Sequence, residues 1–268
     1  MTGTITSHNN DGLKKYFYDH VDCTILRNDR NKTILRTNHS DNQLFIKIYH
    51  YPDFIASRFQ HKRFAGGPLE FKLCKKLRHF GVKTPEPVGA CVKRNGFGLM
   101  QKSLFASRWL NDSVPLSKYL PLLKTETDPS LDRLRALTEN LGRFVGYINS
   151  KHIISSDFNV SNILVRKKEC MEEFYLVDYE RIFFKHTYEL SNCLLGLSQI
   201  GAFLIRLDQC LIHHFCSGYI MAVKDIDLNR LEDILLAASI KKKDQWEMNM
   251  DKRFSQIANQ LSQNQDES

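Results

Sequence analysis

The chain has 268 residues, 42% hydrophobic and 25% charged, and carries a formal net charge of +8. Its length fits one large domain or two small lobes with ample core, and its composition excludes a disordered or fibrous protein. No apolar run reaches the length of a membrane span, and the opening stretch MTGTITSHNNDGLKK holds no apolar segment of a signal or anchor, so a cytoplasmic location is expected.

Residues 21–49 contain three short apolar runs, CTIL, TILRT and QLFIKIY, separated by RNDRNK and NHSDN, stretches rich in turn formers. This pattern predicts an antiparallel meander. After a basic, aromatic connector, GGPLEFKLCKKLRHFG predicts a helix with Pro68 in its first turn, Gly81 as its C-terminal cap, and Leu69, Leu73 and Leu77 as its apolar stripe. Between Arg58 and Arg78 there are seven Lys or Arg residues against one acid, Glu70. Such a patch favours phosphates, anionic lipid or nucleic acid, or else it is a solvated helix face. TPEPVGACV, an Asn95-Gly96 turn and FGLMQKSL then predict a hairpin.

From Asp128 the pattern becomes helical, with Asp128 as N-cap, Pro129 next to it, and Leu131, Leu134, Leu141, Val145 and Ile148 at helical spacing to near Lys151. NILV and FYLVDYE predict another hairpin, and residues 187 to about 238 read as helical, with Leu190, Leu194 and Leu197 on one face. The tail from Lys241 is polar and is expected to fray. The seven cysteines, Cys23, Cys74, Cys91, Cys170, Cys193, Cys210 and Cys216, never form C-x-x-C and read as reduced, mostly buried residues.

The candidate chemistry lies in one ordered set: a strand lysine, Lys47; a helix glutamate, Glu70; then Asp157 and Asn162 in SSDFNVSNILV; then Asp178 in YLVDYE. Each has a plain alternative, since Lys47 alone is a surface lysine, Glu70 a first-turn acid, Asp157 a turn former and Asp178 the end of a strand. Together they suit phosphoryl transfer, a reaction that asks the protein for positioning and positive charge rather than covalent help. Lys47 would pair with the α- and β-phosphates of ATP, Glu70 would fix the direction of Lys47, Asp157 would orient or deprotonate the acceptor hydroxyl, and Asn162 and Asp178 would hold Mg2+.

These residues resemble the protein-kinase-like superfamily, in which the catalytic loop H-R-D-x-x-x-x-N, the strand lysine, the helix glutamate and the D-F-G aspartate correspond to Asp157, Asn162, Lys47, Glu70 and Asp178. Within it, EFKLCKKLRHFGVKTPEPVGA, the D-F-N-x-x-N-I-L loop and V-D-Y-E in place of D-F-G resemble the lipopolysaccharide core kinases that act on 3-deoxy-D-manno-octulosonic acid (Kdo) or heptose. The resemblance implies an α+β, two-lobed protein-kinase-like fold with a small antiparallel-sheet N-lobe bearing one helix (1–103), a mainly helical C-lobe (104–240) and a polar tail (241–268). It implies ATP-dependent phosphorylation of a sugar hydroxyl of the lipopolysaccharide core, or of another anionic sugar, on the cytoplasmic face of the inner membrane. Peripheral contact with the anionic membrane surface through the basic patch is part of that expectation, and nucleic acid is not expected. Met100, Gln101 and Lys102 are assigned to the hinge that meets adenine.

Three departures accompany the match. Ser155 stands two residues before Asp157, where the family places a scaffolding histidine, and His152 is out of register and reads as a helix-end residue. The first hairpin, RNDRNK, has no glycine, but Asn28, Asp29 and Asn31 can make its turn, and Arg30 or Lys32 can reach phosphate. No A-P-E segment follows V-D-Y-E, which argues against a protein substrate. Two other readings stay open: a phosphotransferase for a soluble compound such as choline or an aminoglycoside, and a pseudokinase that binds without turnover.

Overall fold

Strands form where the alternation of apolar residues places them, and a computed structural model describes residues 10–19, 22–38, 43–51, 66–125, 130–168, 171–224 and 226–266. The chain divides into two units: Met1–Ser113 with Leu164–Arg181, and Val114–Ile163 with Ile182–Ser268.

In the first unit a short helix, α1 (Asn10–Lys14), is followed by β1 (Cys23–Asn28), β2 (Lys32–Thr37), β3 (Leu44–His50), α2 (Gly66–His79), β4 (Pro87–Arg94) and β5 (Met100–Arg108). The five strands form one sheet in the order β1-β2-β3-β5-β4, with every neighbouring pair antiparallel. The alternation along β3 decides what each face carries. Ile46 and Ile48 join Leu35, Leu104, Ala106 and Cys91 in a core completed by Leu13, Tyr16 and Phe17, residues of an N-terminal segment for which the sequence predicted no structure. Side chains of this kind each contribute about 1.5–3 kcal/mol on full burial. Lys47 and Tyr49 alternate with them and therefore belong to the opposite face of the sheet.

Helix α2 begins and ends as expected, with Pro68 in its first turn and Gly81 at φ +78°. The Val82 N–H reaches the Leu77 carbonyl at 3.0 Å and the Gly81 N–H reaches that of Arg78 at 2.9 Å, which closes the helix end. Its buried side differs from the predicted stripe: Leu77 is buried, but its companions are Glu70 and Cys74, while Leu69 and Leu73 are half-buried.

The second unit holds α3 (Leu116–Thr125), α4 (Ser130–Ser150), β7 (Ile153–Ser155), a 3-10 turn (Val160–Asn162), β10 (Ile182–Phe184), α5 (Leu190–Leu207), α6 (Leu211–Ala222) and α7 (Leu228–Asp266). The chain also forms β6 (Ser113–Pro115), β8 (Ile163–Lys168) and β9 (Met171–Leu176), of which β8 and β9 are the predicted hairpin. Leu134, Leu137, Leu141, Val145 and Ile148 make the buried stripe of α4, whereas Leu131 at its start is exposed. Helix α4 packs on α6, and α5 on α7. Asp128 and Pro129, the connector from residue 52 to residue 65 with half of the basic patch, and Cys170 lie outside the described residues. Of the other cysteines all are free thiols; Cys74, Cys91, Cys193 and Cys216 are buried, Cys23 is half-buried and Cys210 is exposed.

Three expectations about boundaries change. The first unit runs to Ser113 rather than to 103, because β5 continues to Arg108, and it also takes Leu164–Arg181. The second change has a visible cause: the Leu176 N–H donates to the Lys83 carbonyl at 2.9 Å, and Lys83 pairs with Glu173 at 2.8 Å, tying β9 to the loop after α2. The polar stretch after Lys241 continues α7 to Asp266 instead of fraying. Finally, α5 is long and apolar enough to cross a membrane, contrary to the expectation that no such run exists; half of it is buried within the protein, as in a core helix.

Candidate active site

The candidate side chains gather at two places, one in each unit. In the first unit the β3 alternation delivers Lys47, which is only 4% exposed, and α2 delivers Glu70, which is 1% exposed. Their ion pair measures 2.8 Å. After β9 the chain turns at Asp178, which takes the left-handed conformation at φ +62°, a strained backbone for a residue other than glycine. That turn brings the Asp178 carboxylate to 3.1 Å from the Lys47 ammonium and the Glu180 carboxylate to 3.4 Å. One buried ammonium therefore meets three carboxylates.

Several contacts fix this group. The Tyr179 N–H donates to Glu70 at 3.3 Å, while the other Glu70 oxygen, Oε2, is buried with no hydrogen-bond partner among the described residues. Glu180 accepts from the Tyr49 hydroxyl and from Lys32 Nζ, both at 2.6 Å. Burial works against charge on Lys47, but Glu70, Asp178 and Glu180 outweigh it and hold its proton above the ordinary lysine range. Burial raises the Glu70 carboxyl, and Lys47 only partly offsets this. Burial also opposes the Glu180 carboxylate, yet Lys47, Lys32 and the Tyr49 hydroxyl together pull it down to about 2. Oxygens of Glu70, Asp178 and Glu180 lie within 4.8 Å of one another, a spacing that can accommodate a metal ion.

Sequence reasoning paired Lys47 with Glu70 and placed Asp178 in the same set, and the structure brings all three together. It missed Glu180 as a partner of Lys47, although the residue's position two after Asp178 was the available signal. Lys32, offered as a phosphate contact, is instead engaged by Glu180. The glycine-free hairpin is shaped by Asp29, whose carboxylate accepts from the Asn31 and Lys32 N–H groups at 3.0 and 2.8 Å.

Met100, Gln101 and Lys102 do not form the connection out of the sheet. They lie at the hairpin end of β5, where Met100 pairs with Arg94 and Lys102 with His50, and the strand runs on to Arg108 before the chain leaves the unit. The Met100 side chain is buried, and Lys102 Nζ donates to the Phe17 carbonyl at 3.1 Å. The error was one of strand direction: the segment that leads out of the sheet is 109–113.

In the second unit β7 leads directly into the 157–162 loop, and its pairing with β10 matches Ser155 to Ile182. A buried network holds β7 from behind. Tyr219 donates to Asn149 Oδ1 at 2.9 Å, and Asn149 Nδ2 donates to the Ile153 carbonyl at 2.8 Å. Ser155 is buried, and its hydroxyl oxygen accepts the Asp157 N–H at 3.1 Å. A hydroxyl thus supports the loop at the position where a histidine was expected. His152 takes φ +58° after the last turn of α4 and its ring meets the His186 carbonyl at 2.8 Å, which makes it a helix-end residue. Phe158 and Val160 anchor the loop by burial. Gln199 Nε2 donates to the Ser156 carbonyl at 3.1 Å. Gly196 on α5 lets that helix approach so closely that a Cβ there would collide with the Ser155 carbonyl.

The Asp157 and Asn162 backbones are joined by the loop's own bonds. Asn159 Oδ1 accepts the Ser161 N–H at 2.9 Å and its carbonyl accepts the Asn162 N–H at 2.8 Å, so the chain winds into the 3-10 turn. Asn162 Nδ2 then donates to the Asp157 carbonyl at 3.3 Å. The amide nitrogen is thereby committed, and Oδ1 of Asn162 has no hydrogen bond among the described residues.

Sheet, helix and loop together define a two-lobed kinase-like α+β fold. The solved chain described as "WaaP in complex with acyl carrier protein" shares it, with a TM-score of 0.61 over 83% of this chain and 88% of that one, at 17% sequence identity. The model of the lipopolysaccharide kinase (Kdo/WaaP) family matches residues 47–189, more than half of the chain, and the protein belongs to that family. Among its relatives are the 3-deoxy-D-manno-octulosonic acid kinases of Pasteurella multocida, 29% identical over 113 residues, and of Vibrio cholerae, 25% identical over 114 residues. Each match covers 42% of this chain and 43% of the relative, so the chain is aligned with less than half of the length of these relatives.

Proposed function

We propose that the chain is an ATP-dependent kinase that phosphorylates a sugar hydroxyl of the lipopolysaccharide inner core, on Kdo or heptose, at the cytoplasmic face of the inner membrane. The observation that carries this reading is the buried Lys47, aimed by Glu70 and in contact with Asp178, in a member of the lipopolysaccharide kinase family.

Roles follow from the chemistry of each group. Lys47 keeps its proton at any working pH and presents a fixed cation to the α- and β-phosphates. Glu70 sets the direction of that cation. Asp178 and Glu180, beside Glu70, offer a cluster of hard oxygen donors that suits magnesium, and Asn162 is the other metal-holding residue that the family resemblance implies. These residues would hold the ion, whose charge would offset that of the phosphate oxygens. Asp157 orients the acceptor hydroxyl and takes its proton as the sugar oxygen bonds to the γ-phosphorus and ADP leaves. Adenine is read by the backbone near 109–113, the segment that follows β5, rather than by Met100–Lys102. Ser155 and the glycine-free hairpin are the grounds for a non-catalytic reading; the Ser155 hydroxyl, which accepts the Asp157 N–H, supports the catalytic one.

The test is transfer of one phosphate, read by mass, from ATP to a lipopolysaccharide core acceptor in the presence of magnesium. The parent is expected to transfer, with Asp157→Asn and Lys47→Ala reduced by about a hundredfold or more. Equal transfer by all three proteins would overturn the assignment.

A further inference from the structure

Beside the 157–162 loop, the second unit contains a concavity of about 360 Å³ to which none of the roles above has been assigned. Asn159 and Ser161 bring the loop itself to it. Phe203 and Arg206 come from α5, three residues apart, and Trp246 and Asn249 from α7, again three apart, so each helix turns one face to the same space. Helix α7 is the segment whose composition read as a frayed polar tail. It supplies the only tryptophan of the concavity, and Trp246 is half-buried there.

The residue types are unlike those of a packing defect. Arg206 is exposed, and no ion pair or hydrogen bond engages its guanidinium among the described residues. Its place in the last turn of α5 suits the helix dipole and explains a cation there, though not its pairing with an indole and two amides. A guanidinium binds carboxylate or phosphate through two parallel hydrogen bonds. An indole presents an apolar, electron-rich face on which the C–H face of a sugar ring can lie. The Asn249 amide can both donate and accept; Asn159, whose Oδ1 accepts the Ser161 N–H, offers its Nδ2 as a donor, and the Ser161 hydroxyl, which donates to Ser117 at 3.0 Å, offers its oxygen as an acceptor, a mixture that a ring of hydroxyls can use. Volume and lining fit a small polar ligand with one anionic group.

We propose that this concavity is the acceptor subsite for an anionic sugar, with Arg206 binding its carboxylate or phosphate and Trp246 supporting its ring, so that a hydroxyl is presented to the loop that carries Asp157. The proposal rests on the kinase reading above and supplies its substrate class. Arg206 and Trp246 are specificity and positioning residues, and they take no part in the transfer of the proton or the phosphoryl group.

The experiment uses the full chain, with Kdo and its methyl ester as probes. Tryptophan emission is titrated with each sugar, and the KM values for acceptor and for ATP are measured in parallel. Kdo is expected to change the emission of the parent, Trp246→Phe to remove that change, and the uncharged ester to bind on the order of tenfold more weakly. Arg206→Gln, with an unchanged Tm, is expected to lower Kdo to the level of the ester and to raise the acceptor KM by a similar factor while leaving the KM for ATP alone; Arg206→Lys should restore part of the loss. Equal binding of acid and ester by the parent, or of Kdo by the parent and Arg206→Gln, overturns the subsite. If the parent binds Kdo in the expected way but transfers no phosphate to any core sugar, the kinase reading fails and the subsite stands. Transfer with a parental acceptor KM in Arg206→Gln has the opposite meaning.

Discussion

The lysine cluster of the first unit and the 157–162 loop of the second are held by different forces. Around Lys47 the forces are ionic: one buried ammonium faces three carboxylates, and a buried Glu70 oxygen has no hydrogen-bond partner among the described residues. The loop is held in another way. Its shape comes from local hydrogen bonds, Ser155 to Asp157, Asn159 to Ser161 and Asn162 to Asp157, over the buried Phe158 and Val160. The difference teaches that a charge change should damage the first region chiefly through stability and the second chiefly through chemistry.

Asp157→Asn is the largest test of the second half of that statement. The substitution keeps the backbone groups that build the loop and exchanges the carboxylate for an amide of the same shape, so the turnover number should fall by about 10²–10⁴ while stability falls by less than it does in a Lys47→Met variant. A urea titration beside the transfer assay checks both; a collapse in stability would mean that the carboxylate holds the fold rather than serving the reaction. Lys47→Met tests the first half. It leaves Glu70 buried and without its cation, a defect that costs about 3–5 kcal/mol. Lys47→Met combined with Glu70→Met should regain most of that stability without regaining activity. If the double variant is as unstable as the single one, the pair is not the source of the cost.

How much could be read from the sequence differs in the same way. Hairpins and caps were legible because their signals are local: Asn95-Gly96 between two apolar runs, Pro68 in the first turn of α2 and Gly81 after its end. The ordered set Lys47, Glu70, Asp157, Asn162 and Asp178 was legible because its spacings and residue types recur together. What depends on partners far along the chain was not. Leu13, Tyr16 and Phe17 look unremarkable until β3 and β5 give them a surface to cover. Helix α3, with Pro121 inside it, went unpredicted, and the polar composition after Lys241 hid the continuation of a helix whose buried Leu231 and Leu235 lie in the stretch that did read as helical. Met100–Lys102 was placed at the wrong end of its strand, because an apolar alternation gives the presence of β5 but not where it stops.

Two smaller effects sharpen the contrast. Ser155→Ala leaves the Asp157 N–H without its acceptor, so it should cost about 1–3 kcal/mol and lower the turnover number, with the KM for ATP unchanged. If turnover is untouched, the hydroxyl does not position the loop. Glu180→Gln gives the smallest effect and is confined to acid. The Glu180 carboxyl lies at about 2 in the folded protein, below its ordinary value, so the unfolded chain takes up this proton first as the pH falls. Its contribution is therefore fully present above pH 4.5 and disappears as the pH falls through 2. Because the side chain is 36% exposed, the contribution is about 1 kcal/mol or less. Denaturation midpoints of the parent and Glu180→Gln should stand a constant distance apart above pH 5 and converge as the pH falls towards 2. A gap that persists unchanged at pH 2 would show that Glu180 acts through packing against Tyr49 and Lys32 rather than through its charge.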